Sequence, residues 1–105
     1  MVSEVSPIKL RELAGANPSS RFSGASVRRR MASRLTRADK VILDFEGVES
    51  VSEPFVDECF SKLNRDMGYG LIGHKAILKN ASPYVESIII SVTDWQNDRG
   101  LELSL

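Results

Sequence analysis

The sequence predicts a small α/β domain with a mostly parallel sheet and packed amphipathic helices. A continuous apolar, β-rich run, "KVILDF", lies at residues 40–45, and apolar residues recur at helical spacing on both sides of it. Strand-like and helix-like segments alternate, so parallel strands joined by right-handed crossovers are expected. A chain of 105 residues indicates one domain, assigned to 1–105.

The first part of the chain predicts a short strand, a loop and a basic helix. "SPIKLREL" is the strand candidate, and "AGANPSSRFSG" contains the Gly, Asn, Pro and Ser typical of loops. The helix is predicted over 26–38, with Val27, Met31 and Leu35 on its inner face and Ser23 or Ser26 as its N-cap. Its basic outer face is formed by Arg28, Arg29, Arg30, Arg34 and Arg37.

The second part predicts two further helices and one further strand. "KVILDF" is the buried strand, and "EGVESVSEP" connects it to a helix over 53–67 that ends at "GYG". The inner face of that helix is expected to contain Val56, Cys59, Phe60, Leu63 and Met67. "HKAILKN" indicates a strand, and Ser82 with Pro83 indicates the start of the last helix. The apolar stripe of that helix consists of Val85, Ile88, Ile89, Val92 and Trp95, and "LELSL" is a candidate last strand.

The charge balance argues against a general nucleic-acid or membrane binder. The chain has 14 basic and 14 acidic side chains, with +6 in residues 1–40, −6 in 41–58 and 0 in 59–105. The single cysteine, Cys59, excludes an intramolecular disulfide and a Cys-rich zinc site, and it suits a reducing cytoplasm. No apolar run has signal-peptide or membrane-spanning length.

The stretch "VILDFEGVESVSEPFVDECFSKL" resembles the signature of the STAS-like family of unknown function, which is related to anti-sigma factor antagonists. The matching features are "LDFEGV", the "VS" before the helix, and Phe55, Asp57 and Glu58 within it. "SG-x-x-VRRRM" upstream and "KN-x-S" downstream fit the same arrangement, so the resemblance covers about residues 20–95.

The resemblance implies a non-enzymatic regulatory module without a cofactor, bacterial and cytoplasmic. Its implied partner is a protein, either a histidine-kinase-type ATPase or a transcription regulator, docked by loop 47–54 and the exposed face of helix 53–67. In antagonists a partner kinase phosphorylates a serine in this loop, and the added charge breaks the complex. Ser52 aligns one position before that serine and Glu53 aligns with it, so both are assigned to a switch loop, with Ser52 the candidate phosphoacceptor. Asp57 and Glu58 are expected to add charge.

Several side chains also have a structural interpretation. Ser52 at a helix start is expected to act as an N-cap. Helical phase directs Asp57 outward and puts Glu58 between the two faces, where one of them can pair with Arg28, Arg29 or Arg30. Cys59 is expected in the core, while Tyr84 and Trp95 are expected to pack. His74 is expected as a surface or core residue.

Two other functions remain open from the residues alone. The arginine helix 26–38 predicts a nucleic-acid-associated factor whose binding weakens with salt. The acidic cluster 44–58, in which Asp44 and Glu46 are expected on the same side of a strand, predicts a small enzyme or a ligand- or metal-binding protein. No residue is assigned as catalytic or as a metal ligand, and the oligomeric state is left open.

Overall fold

In the part of the chain that the structure describes, three parallel strands form one sheet, and their order in the sheet is their order in the sequence. The computed structural model describes residues 6–67 and 75–93, without the side chain of Met67. The strands are β1 (Ile8–Lys9), β2 (Val41–Asp44) and β3 (Ala76–Lys79). The helices are α1 (Leu10–Ala14), α2 (Arg21–Leu35), α3 (Glu53–Val56), a π-helical turn (Asp57–Ser61), α4 (Lys62–Met67) and α5 (Pro83–Thr93). The predicted α/β class with a parallel sheet is confirmed.

The sheet is built around β2, which pairs with both neighbours. Ile8 is opposite Leu43 on one side, and Ile42 is opposite Ile77 on the other. Side chains alternate along β2, so Val41 and Leu43 are buried while Ile42 is only partly covered. The predicted strands at "KVILDF" and "HKAILKN" are therefore confirmed, and the first strand is limited to two residues.

The hydrophobic core lies between the sheet and the helices. α2 packs on α3 and on the π-helical turn, and α5 contacts the same two segments. The largest fully buried side chains include Phe45, Phe55, Phe60, Leu10, Met31 and Ile89. Burial of such side chains is the main favourable contribution to folding.

The start of α2 differs from the prediction. Ser20, with φ −110° and ψ 155°, is the N-cap, and its hydroxyl accepts the Ser23 N–H at 3.0 Å. The helix therefore spans Arg21–Leu35 instead of 26–38, Ser23 and Ser26 lie inside it, and Arg37 lies beyond its end. The prediction failed because Gly24 in "RFSG" was taken as a loop residue, although it is buried within the helix.

The helix predicted over 53–67 is present as α3, the π-helical turn and α4 in direct succession. Val56, Cys59, Phe60 and Leu63 are buried as expected. The π-helical turn was not predicted. It widens the buried face so that residues 58–61 are all buried.

The last described helix, α5, begins as predicted. The Ser82 hydroxyl accepts the Val85 N–H at 3.1 Å, and Val85 and Ile89 face the core. The expectation that Tyr84 packs was wrong. Tyr84 lies two residues after the Ser82 cap, in the first turn of the helix, and its side chain is 57% exposed there. The predictions for "GYG", His74, Trp95 and "LELSL" concern residues outside the described ranges. Within those ranges no helix combines the length and apolarity needed to cross a membrane.

Candidate docking site

The loop after β2 starts with a turn that its own side chains hold in place. Asp44 Oδ1 accepts the side-chain N–H of Asn80 at 2.9 Å and the Glu46 N–H at 3.0 Å, and both hydrogen bonds lower the pKa of Asp44. Gly47 has φ +81°, a conformation that favours glycine. The strand ends at Asp44, so Glu46 belongs to the turn, and the expected pair of carboxylates on one strand face is absent here.

A second segment, residues 16–19, is hydrogen-bonded to the loop. The backbone N–H of Glu49 donates to Ala16 O at 2.7 Å, and that of Ser52 donates to Pro18 O at 3.0 Å. Loops usually leave such groups to water. These bonds instead fix the path of residues 49–52 against the segment that leads into α2.

Ser52 has the capping role that its position predicted. Its hydroxyl accepts the Phe55 N–H at 3.1 Å and donates to Ser19 O at 2.9 Å. The Ser50 hydroxyl adds a bond to Asn17 Oδ1 at 2.7 Å. Ser52 therefore both caps α3 and connects the two loop segments, and its role as a phosphoacceptor stays a prediction.

The acidic side chains of the region fall into two groups. Glu46, Glu49 and Glu53 are exposed, and none of them forms an ion pair within residues 6–67 and 75–93. Asp57 and Glu58 are paired with cations. The outward charge of the predicted docking surface therefore lies on the loop and the first helical residue.

Glu58 is the centre of an ion-pair cluster. Its carboxylate lies 2.8 Å from Arg28, 3.0 Å from Lys62 and 3.4 Å from Arg21. Hydrogen bonds from Arg28 and Lys62 lower the pKa of Glu58 to about 2. Arg21 also contacts Asp57 at 2.8 Å. The expected pairing with the arginine triplet is thus confirmed for Arg28, and Arg21 was missed because it was placed in a loop.

The π-helical turn explains why Glu58 points inward. The Lys62 N–H, which in an α-helix would donate to Glu58 O, donates to Asp57 O instead. Arg28 Nη1 donates to Glu58 O at 2.6 Å and so supplies a donor to that carbonyl. With the altered phase, Glu58 is 8% exposed, in contrast to the intermediate placement predicted from regular α-helical spacing.

Gly24 brings α2 directly against the backbone of the following helix. A Cβ atom at this position would lie 2.7 Å from Phe55 O, 2.9 Å from Glu58 Cβ and 3.3 Å from Cys59 N. Only glycine allows this distance, and the close approach places the Arg28 guanidinium within reach of Glu58.

The comparisons with known proteins give the family. The model of a STAS-like domain of unknown function matches residues 23–86, which is more than half of the chain. The chain belongs to this family. None of the curated proteins and none of the solved structures gave a significant match.

The matched range of this STAS-like domain contains the residues that carried the resemblance. Gly24 and Phe55 meet where the two helices approach closest, and Arg28 and Glu58 form the ion pair. Asn80, with φ +60°, donates to Asp44 beside the loop. In the described structure these signature residues therefore hold the two helices and the loop together.

The arginines of the STAS-like domain that were predicted to form one basic face have different surroundings. Arg28 faces the ion-pair cluster, whereas Arg29, Arg30 and Arg37 are exposed. Arg34 donates to the backbone carbonyl of Ser6. The predicted basic outer face is thus confirmed for Arg29 and Arg30, which are exposed within the helix.

The remaining reactive group of the STAS-like domain is a core thiol. Cys59 is fully buried with its sulfur 3.8 Å from that of Met31, and burial raises the pKa of the thiol. Among the side chains that the structure describes, no group of three or more His, Cys, Asp or Glu residues is arranged to hold a metal ion.

Proposed function

We propose that this STAS-like domain is a non-enzymatic regulatory module of the cytoplasm that docks a partner protein. STAS-like domains are generally non-enzymatic. The contact surface is loop 47–54 with the exposed side of the helix that follows. The resemblance to anti-sigma factor antagonists favours a bacterial partner that is a histidine-kinase-type ATPase or a transcription regulator.

One observation carries the proposal: hydrogen bonds to residues 16–19 hold the loop in place, while its acidic side chains are exposed to solvent. Its backbone and serine hydroxyls are bonded to residues 16–19, and Glu49 and Glu53 remain exposed and free of ion pairs in the described part of the chain. A loop that is already ordered loses little conformational entropy on binding. Exposed carboxylates select a partner with a basic surface and repel an acidic one.

The predicted switch residues then have separate roles. Glu53 supplies a fixed negative charge at the contact. Asp57 and Glu58 form ion pairs with α2, and these pairs orient the helix that follows the loop. Phosphorylation of Ser52 would remove its hydrogen bond to Ser19 and add a charge of about −1.5 to −2 beside Glu53, which would disrupt the docked state.

The test is affinity capture from a native lysate, with and without nuclease, followed by titration of the identified partner against the pure domain. Glu53→Lys is expected to abolish binding while the circular dichroism spectrum stays native, because Glu53 is exposed. Glu86→Lys is the matched control, since Glu86 is also exposed in the first turn of a helix. Binding that survives Glu53→Lys, or that is lost equally in the control, contradicts the proposal.

A further inference from the structure

The side of α2 that faces away from the core combines an exposed aromatic ring with unpaired arginines. Phe22 is 80% exposed, and its ring is not among the core residues of the described structure. Arg29 follows seven residues later on the same side of the helix, and Arg30 is its exposed neighbour. We call Phe22, Arg29 and Arg30 the outer surface of α2, and the partly exposed Arg34 lies beside this surface.

The charge of the outer surface is not neutralised within the described structure. α2 contains no acidic residue, and two of its other arginines, Arg21 and Arg28, form the ion pairs with Asp57 and Glu58. In the described ranges Arg29, Arg30 and Arg34 form no ion pair. Arg29 and Arg30 are thus available to a ligand, whereas Arg34 already donates to the Ser6 carbonyl and can offer only its remaining N–H groups.

A groove beside the helix extends this positive surface. Lys9, Arg30 and Arg34 line a space of about 280 Å³ between β1, α1 and α2, with Pro7 and Leu13 as apolar neighbours. Glu12 also lines the groove, so its three cations face one carboxylate. An anion that enters from the solvent side meets a net positive wall.

We propose that the outer surface of α2 and this groove bind single-stranded nucleic acid. Arginine and lysine would contact the phosphates, and a base would stack on Phe22. Guanidinium groups suit phosphate oxygens because they donate in a planar fork, and an exposed aromatic ring is a stacking platform for any base. From Phe22 to Arg34 the helix rises about 18 Å, which accommodates a few nucleotides.

The number of phosphates contacted determines how steeply the affinity should fall with salt concentration. Contact of about four phosphates predicts a slope of about −3 in log K against log salt for a single strand. Affinity should therefore fall about 50-fold between about 50 and 200 mM salt. An acidic protein partner would share the electrostatic attraction, but it has no bases to stack on Phe22.

The experiment is fluorescence anisotropy of the full chain with a labelled oligothymidine of about 12 nucleotides. Phe22→Ala leaves the charge unchanged and is expected to weaken binding about fivefold or more. Arg30→Ala is expected to reduce the salt slope by about 0.7. Arg65→Ala removes an exposed arginine from α4 and is expected to leave both quantities unchanged.

Four results would overturn the proposal. The first is no binding at low salt, and the second is equal binding by the Phe22→Ala variant. The third is an Arg65→Ala effect as large as that of Arg30→Ala. A labelled polyglutamate peptide that binds as tightly as the oligonucleotide would also overturn it, because the surface would then recognise negative charge alone.

Discussion

Replacement of Gly24 by alanine tests the close approach of α2 to the following helix. The new methyl group would lie 2.7 Å from Phe55 O, a backbone atom that cannot rotate away, and 2.9 Å from Glu58 Cβ. Because the clash is with a backbone atom, its cost should lie in the upper part of the overpacking range, at about 2–3 kcal/mol, whereas alanine gains about 1 kcal/mol in helix propensity over glycine. We expect a net loss of about 1–2 kcal/mol.

Urea denaturation followed by circular dichroism measures this loss, and thermal melting should show a drop of about 4 °C or more. Ser33→Ala is the control, because Ser33 is exposed on the same helix and its replacement should change stability by at most a few tenths of a kcal/mol. A Gly24→Ala variant that is as stable as the wild type, or more stable, would refute the packing described here.

Three further predictions concern the helix that Gly24 contacts. Arg28→Ala should destabilise the domain by about 1–3 kcal/mol in urea denaturation, since it removes a charged donor from the Glu58 carbonyl, while Arg29→Ala should change stability by less than about 0.5 kcal/mol. The pKa of Glu58 is lowered from 4.5 to about 2, so its contribution is present above pH 4.5 and is lost as the pH falls towards 2. Glu58→Gln should therefore flatten the stability profile in that window, and an unchanged profile would contradict the ion-pair assignment. Cys59 should resist iodoacetamide in the native state and react in urea, because burial raises the pKa of its thiol and blocks access; labelling of the native protein at the rate of a free thiol would be inconsistent with this.

The elements that obey local rules could be predicted from the sequence. The apolar run at β2, the Ser82 cap of α5 and the Ser52 cap of α3 depend on residues close in the chain, and each is present. Family membership was equally visible, because the signature is a contiguous stretch.

The features that depend on distant partners could not be predicted. The π-helical turn has Arg28 as an outside donor, and that residue lies 30 positions before the carbonyl it reaches. Regular α-helical spacing therefore placed Glu58 between the two faces of the helix, although it is buried. Gly24 was taken as a loop residue because the backbone it packs against is separated from it by a strand and a loop. Arginine spacing alone also could not distinguish Arg28 from Arg29.

The bonds between residues 16–19 and the loop have a consequence for the dynamics of the domain. The amides of Glu49 and Ser52 lie in a surface loop, where rapid hydrogen exchange is the usual expectation. Their acceptors, Ala16 and Pro18, lie in the segment that leads into α2, so both bonds connect the loop to the start of that helix. Slow exchange at these two amides would therefore report that the loop stays attached to the segment before α2, and fast exchange at both would show that the two segments separate together.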